Sequence, residues 1–322
     1  MRVFLGIDAG GSKTHAMLLD ESCRVLGFGA GGAGNHQMGG LDSALHEIST
    51  AARGALSAAG VAPEQVELGC FCLAGADLPQ DFRLLQNALE GQGLARQVVI
   101  KNDCMAALRC GLSQPWGVAV ICGTGFNAAG RAQDGREIVL PGLGLISGDW
   151  GGGGDLVEEM IRAVMRDWDG RGRPTALTRA VLDALGKNSA EELMLALYNR
   201  RLSRRRLLPL APLLFQVAET GDAVAREIVV RMGAEVGVTA NTLLRRLDLL
   251  QSDAEVVLSG SVFKGTGTLL LDTVRQVVRG AAPRARLVRP ALEPVAGAAL
   301  LALDLAGIGC PPDAQAALAR AF

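Results

Sequence analysis

The chain has 322 residues, with 32 Lys and Arg against 33 Asp and Glu, for a net charge of -1. That balance argues against a nucleic-acid partner, because nucleic-acid binders carry a basic excess. Hydrophobic residues make up 49% and charged residues 20%, a profile that excludes disorder, and the length predicts two domains.

No long apolar run is visible, so neither a signal peptide nor a membrane partner is expected, and the cytoplasm is the expected compartment. The seven cysteines form no C-x-x-C pair and are expected to be reduced thiols serving as small buried apolar residues.

The stretch FLGIDAGGSKTHAMLLD (4–20) reads G-x-x-x-x-G-S-K-T from Gly6, one residue away from the P-loop pattern G-x-x-x-x-G-K-[ST]. A P-loop needs a helix after its glycine turn, because the helix N-terminus supplies amide donors and positive dipole to the phosphates. The residues after Thr14 instead predict a strand near 14–20, a turn at Glu21-Ser22 and a strand near 24–30. The glycine turn therefore belongs to a β-hairpin, and the P-loop reading fails on context. Leu41, Ala44, Leu45, Ile48, Ala52 and Leu56 then recur at helical spacing. A buried strand over 66–75, a helix carrying Phe82, Leu85 and Leu89, a strand QVVIKND (97–103) and a helix over 103–112 follow. The order is β-β-β-α-β-α-β-α.

The pattern then restarts with strands in WGVAVICGTG (116–125), NAAGRAQ (127–133) and REIVLPG (136–142). A helical insert is predicted over about 154–248, with Ala225, Ile228, Met232 and Val236 on one helix face. That apolar face suits a homodimer contact or core packing equally well. A strand over 254–260, a helix from about 265, a short strand over 285–290 and helices over 293–307 and 312–321 complete the chain. Two copies of one order predict a duplicated α/β fold with a cleft between its halves, divided as 1–114 and 115–307. Residues 308–322 are open to packing back on the first half.

Six motifs occur in order: GIDAGGSKT (6–14), NH (35–36), KND (101–103), CGTGFN (122–127), GDWGGGG (148–154) and LSGSV (258–262). Together they resemble the actin-like ATPase superfamily, with its ribonuclease H-like fold. Within that superfamily the chain is similar to the N-acetylglucosamine kinases and BadF/BadG/BcrA/BcrD ATPases. The resemblance implies ATP and Mg2+ as cofactors and a small-molecule sugar as substrate.

Glycine-rich hairpin turns can hold phosphates, because backbone N–H groups converge where no Cβ obstructs them. Gly10, Gly11 and Ser12 with Lys13 or Thr14 form one candidate turn, and Gly123, Thr124 and Gly125 form the other. By resemblance, Asp8 at the end of the first strand would hold Mg2+ through water, since hard cations favour carboxylate oxygens. Asp103 follows an apolar strand and opens a helix. Asn102 or Asp103 suits an N-cap, and by resemblance Asp103 is also the general base that takes the proton of the attacking hydroxyl.

Asn35 and His36 match the family's sugar-contacting pair. Gly75 and Ala76 offer backbone donors, Asn127 lies just past the second turn, and Asp149 matches the acid of the family's GDEGS stretch. This chain departs from that stretch at Trp150, which is free to stack on a substrate or to cover the core. It also departs at Phe126, which could reshape the pocket beside Asn127. Gly260 and Ser261 with Val262 resemble the superfamily's adenosine motif. The Arg-rich run at 199–206 reads as a solvated helical face or linker.

The expected function is ATP-dependent phosphorylation of a hydroxyl of N-acetylglucosamine or a relative such as glucosamine, N-acetylmuramic acid or glucose. One alternative is an ATPase activator of a radical dehydratase or reductase. That role needs paired cysteines for an iron–sulfur cluster, and none lies between Cys122 and Cys310. The other alternative is a nonenzymatic actin-like nucleotide-binding protein, for which Asp103, Asn35 and His36 would have no purpose.

Overall fold

The N-terminal hairpin forms as its residues predict: β1 (Val3–Ala9) pairs antiparallel with β2 (Thr14–Asp20), and residues 10–13 make the turn. The computed structural model describes residues 1–264 and 267–320. β3 (Val25–Gly31) adds antiparallel to β2, while β4 (Val66–Leu73) and β5 (Gln97–Asn102) add parallel beyond β1. The sheet order is β3-β2-β1-β4-β5.

The short helix α1 (His36–Gly39) leads into α2 (Leu41–Ala59). α2 lays Ala44, Ile48, Ala51, Ala52, Ala55 and Leu56 on β2 and β3, an i, i+4, i+7 stripe that the sheet takes out of water. α3 (Pro79–Glu90) packs on β5, and α4 (Asp103–Arg109) starts directly at the end of β5.

The second half repeats this plan. β6 (Gly117–Cys122), β7 (Phe126–Arg131) and the short β8 (Glu137–Val139) form an antiparallel run, and β9 (Glu255–Ser259) and β10 (Arg286–Val288) add parallel to β6. The order β10-β9-β6-β7-β8 is that of the first sheet read from the other edge. The fold is therefore the expected duplicated α/β architecture.

Between β8 and β9 lies the helical insert. It comprises α5 (Gly153–Trp168), α6 (Ala176–Leu185), α7 (Ala190–Tyr198), α8 (Arg204–Leu207), α9 (Ala211–Glu219) and α10 (Ala223–Arg246). Met160, Leu177, Leu214, Met232 and Val236 from these helices join Val118 and Val120 of β6 in one core. The apolar face of α10 is spent on that core. In the Arg-rich run, Arg200, Arg201, Arg205 and Arg206 are exposed while Leu202 is buried and anchors the segment.

α11 (Thr268–Ala281) begins later than predicted; residues 265 and 266 lie outside the described residues. α12 (Pro294–Leu305) packs on β1, β2, β4 and α4 of the first half. A Cβ on Gly297 would lie 2.1 Å from the Ala106 carbonyl oxygen, so glycine is what lets α12 touch α4. Arg109 of α4, which is buried, and Asp304 of α12, whose side chain is 7% exposed, pair at 2.7 Å beside that contact. α13 (Pro312–Arg320) places Leu318 in the core of Phe4, Met17 and Leu19; residue 321, the last of the predicted helix, and residue 322 lie outside the described residues.

The expectation of seven reduced thiols fails at one pair. Cys23 and Cys310 form a disulfide with Cα atoms 6.0 Å apart, because the chain returns after α12 to the turn between β2 and β3, 287 residues away. Cys70, Cys72, Cys104, Cys110 and Cys122 are free and buried, and burial pushes the thiols of Cys72, Cys104, Cys110 and Cys122 up, away from the reactive thiolate form. Among the described residues no helix is long and apolar enough to cross a membrane.

Candidate active site

The carboxyl ends of β1, β4 and β5 lie side by side, with Asp8 in register with Cys72 and Cys72 with Lys101. Ligands of open α/β sheets bind at such an edge. From it leave the 10–13 turn, the 74–77 loop and α4. In the turn, Gly10 N–H donates to the Lys13 carbonyl at 2.9 Å and Gly34 N–H donates to the Gly10 carbonyl at 3.0 Å. Gly11, Ser12 and Lys13 are exposed. Thr14 is buried, and its hydroxyl donates to the Gly32 carbonyl at 2.9 Å, so that proton is committed to the fold.

The 74–77 loop packs on residues 35–37. A Cβ on Gly75 would lie 2.9 Å from Asn35 Oδ1 and 3.1 Å from His36 Cε1, and the φ of Gly75 is +85°, a left-handed conformation that favours glycine. Asn35 caps α1 by accepting from Gln37 N–H at 2.8 Å. The Gln37 side chain donates to the Gly75 carbonyl at 3.1 Å, a tie that no sequence motif signalled. His36 Nε2 lies 4.0 Å from the Asp81 carboxylate, and its buried Nδ1 has no hydrogen-bond partner among the described residues.

Asn102 joins this loop to α4. Its Nδ2 donates to the Ala76 carbonyl at 3.1 Å and to Asp77 Oδ1 at 2.9 Å, and its Oδ1 accepts from Cys104 N–H at 3.0 Å. Sequence reasoning left the cap to Asn102 or Asp103. The structure gives it to Asn102, which leaves the Asp103 carboxylate for other work. Burial, then the charge of Asp77, pushes the Asp103 carboxyl up to about 6, against a smaller opposing pull from the N–H groups of Cys104 and Asp103. Burial, then Asp103, pushes Asp8 up to about 7; Lys13 opposes this and Glu293 adds to it. Asp103 at the sheet edge and Glu293 before α12 thus both set negative charge against Asp8.

In the second half, Gly123 N–H donates to the Gly125 carbonyl at 3.0 Å and closes the second turn. Gly153 N–H donates to the Gly123 carbonyl at 2.8 Å and Gly154 N–H to the Thr124 carbonyl at 3.0 Å. This lays 151–154 along the turn so closely that a Cβ on Gly152 would fall 2.5 Å from the Gly125 carbonyl carbon. A Cβ on Gly123 or Gly125 would meet nothing within 4 Å. Gly260 has φ +104°, and a Cβ there would lie 2.3 Å from the Cys122 carbonyl oxygen.

A cavity of about 360 Å³ brings Gly123, Thr124 and Ser261 together with Pro209, Pro212 and Phe215 of the insert. The insert residues carried no motif. Residues 10–14, Asp8 and Asp103 do not line this cavity. Glu293, the residue before α12, relates the two regions: it lines an adjoining hollow of about 280 Å³ with Gly260, Ser261 and Lys264, and its charge reaches Asp8.

Asn35, His36, Gly75 and Ala76 therefore cluster beside Asp103, whereas the hydrogen bonds of Asn127 and Asp149 stay in their own neighbourhoods. Asn127 Oδ1 accepts from Ala128 N–H at 2.7 Å. Asp149 Oδ2 accepts from Ser147 Oγ at 2.5 Å and Gly144 N–H at 3.1 Å, closing a loop whose Leu145 and Ile146 are 95% and 88% exposed. Trp150 packs at the second core beneath the Arg231 guanidinium, 4.2 Å from its ring, and Phe126 is buried against Gly151.

Two sheets of one topology, each sending a glycine turn from its carboxyl edge, define an actin-like ATPase fold. The chain belongs to the BadF/BadG/BcrA/BcrD ATPase family, whose profile matches residues 5–302. It is 26% identical over 302 residues to an N-acetylmuramic acid/N-acetylglucosamine kinase of Clostridium acetobutylicum, covering 94% of this chain and 98% of that one. It is 28% identical over 313 residues to an N-acetyl-D-glucosamine kinase of Dictyostelium discoideum, with the same shares covered. The solved structure of a candidate N-acetylglucosamine kinase from Chromobacterium violaceum matches with a TM-score of 0.67 at 25% identity, over 94% of this chain and 99% of that one.

Proposed function

We propose that this protein is an ATP-dependent sugar kinase that phosphorylates a hydroxyl of N-acetylglucosamine or a related amino sugar. One observation carries the reading: Asp103, freed from capping by Asn102, stands at the sheet edge with Asn35 and His36 nearby and Asp8 within charge range. A carboxyl titrating near 6 is ionised at neutral pH yet basic enough to take a proton from an attacking hydroxyl. Its position at the start of α4 would hold that oxygen in line with the phosphoryl group.

In this reading the 10–13 turn and the 123–125 turn hold the phosphates from opposite halves. The purine lies in the cavity beside Gly260 and Ser261. The orphaned Nδ1 of His36 is the kind of buried polar group that a sugar hydroxyl would satisfy. Asn35 and the 75–76 backbone complete that side, and Asn127 and Asp149 reach the sugar as the halves close and exclude water.

Mg2+ fits the donor set. Asp8 offers a hard oxygen in a field crowded with carboxylates, and among the described residues no three His, Cys, Asp or Glu form a closed metal cage. That suits an ion held by one carboxylate together with water and phosphate. When bound, Mg2+ would offset phosphate charge, while this chain's residues position the reactants. The cytoplasm, where ATP is at hand, is the compartment this function needs, and residues 1–114 and 115–307 are the proposed sugar-side and nucleotide-side domains.

The names of the two kinase relatives support the substrate class. Cys122 lies buried and Cys310 is bonded to Cys23, so neither speaks for the iron–sulfur alternative. The test is ADP release from ATP and Mg2+ across hexoses, amino sugars and acylated amino sugars. An acylated or free amino sugar should stimulate it most, and a flat panel would contradict the proposal.

A further inference from the structure

A second cavity, of about 660 Å³, lies in the insert between α5 and α10, away from every residue assigned above to ATP or sugar. Its volume is that of a small-molecule site. Arg162, Arg166, Arg171, Arg173 and Arg231 converge on it, opposed by the carboxylates of Glu159 and Glu227 alone among its lining residues. Glu227 pairs with Arg173, and Glu159 is shared between Arg231 at 3.5 Å and Arg162 at 4.0 Å. Arg171 pairs with Asp169 outside the lining, and Arg166 donates to the Arg171 carbonyl at 2.8 Å instead of pairing with a carboxylate. The groove therefore holds more guanidinium charge than its own carboxylates can balance, above apolar walls from Ala163, Val224 and Ile228. Guanidinium forks in this number match phosphate oxygens in geometry and charge.

One residue links the groove to the second glycine turn. Arg231, one of its walls, lies 4.2 Å above the Trp150 ring. Trp150 leads directly into 151–154, the segment hydrogen-bonded along the 123–125 turn. An anion that draws Arg231 toward itself would alter the contact that flanks that turn.

We propose that this groove binds a small organic phosphate, of sugar or nucleotide size, and that occupancy is sensed at the second glycine turn through Arg231 and Trp150. The sensing step rests on the sugar-kinase reading, which makes the second turn a phosphate site; the binding step does not, because binding at the groove is the part of each isotherm that the Arg166 and Arg173 substitutions remove.

The test is calorimetric titration of the whole chain, at constant ionic strength, with glucose 6-phosphate, AMP and inorganic phosphate as separate probes. Wild type should bind at least one organic phosphate saturably, and which probe binds tighter distinguishes a sugar phosphate from a nucleotide as the source. Arg166→Ala with Arg173→Ala should weaken that binding about tenfold or more, and the paired Lys variant should recover only part of it, because Lys cannot offer a bidentate fork. Basal ATP turnover should be unchanged in both variants. Intrinsic tryptophan fluorescence should shift on binding in wild type, and the shift should be smaller in Trp150→Phe, where Trp168 beside the groove still reports, while the isotherm persists. The proposal is overturned if no probe binds beyond the effect of added chloride, or if the Ala pair binds as wild type does. A fluorescence shift undiminished in Trp150→Phe would overturn the sensing step.

Discussion

Asp77 Oδ1 accepts a hydrogen bond from Asn102 Nδ2 at 2.9 Å, and Asn102 caps the helix that opens with Asp103. One carboxylate thus fixes the residue that positions the next, while its charge raises the carboxyl of Asp103. Asp77 is a positioning residue in this arrangement.

A pH profile should show this. If Asp103 must be ionised to accept a proton, kcat/KM falls as pH drops through about 6. A neighbouring like charge disfavours ionisation, so neutralising it in Asp77→Asn lets Asp103 ionise more readily, and the acidic limb moves to lower pH. An unmoved limb, or one displaced upward, would contradict the coupling; a purely structural role for Asp77 would change kcat without moving the limb.

The glycines of the second turn separate function from packing. Gly125→Ala adds a Cβ that meets no protein atom within 4 Å, so the free energy of unfolding should change by less than about 0.5 kcal/mol. The same Cβ would enter the proposed phosphate site and should raise KM for ATP roughly tenfold, about 1.4 kcal/mol. Gly152→Ala drives its Cβ into the Gly125 backbone and should cost roughly 1–3 kcal/mol of stability. Denaturant melts and ATP kinetics on the two variants check the contrast.

The pin between α4 and α12 is a buried ion pair. Asp304→Ala strands the Arg109 guanidinium, which also donates to the Leu112 carbonyl at 3.1 Å, and should cost about 3–5 kcal/mol in urea unfolding. Replacing both partners with apolar residues of similar volume should cost less than the single change, because no unpaired charge then remains. A single variant as stable as wild type would remove the pin from the account.

Much of this was legible in the sequence because it is local. Polar turn residues after Thr14 gave the hairpin away from the P-loop, and the 3.6-residue stripe of Ala44, Ile48 and Leu56 gave α2. What escaped notice depends on chain returns. Cys310 meets Cys23, α12 packs across β1, and Pro209 and Phe215 line the cavity beside the second glycine turn, each set by contacts between distant segments that no spacing encodes. Side-chain commitments escaped too. The Thr14 hydroxyl serves Gly32, Asp149 closes its own loop, and Trp150 stacks with Arg231. A one-dimensional motif gives the residue type but not the partner its polar atoms have chosen.

Asp103 is the proposed acceptor of the sugar hydroxyl's proton. The most direct measurement compares wild type with Asp103→Asn for sugar-dependent formation of phosphorylated sugar, beside the dissociation constant for ATP. Turnover should fall about 10²- to 10⁴-fold with ATP affinity nearly unchanged. Turnover close to wild type, or a loss explained wholly by weaker ATP binding, would contradict the account.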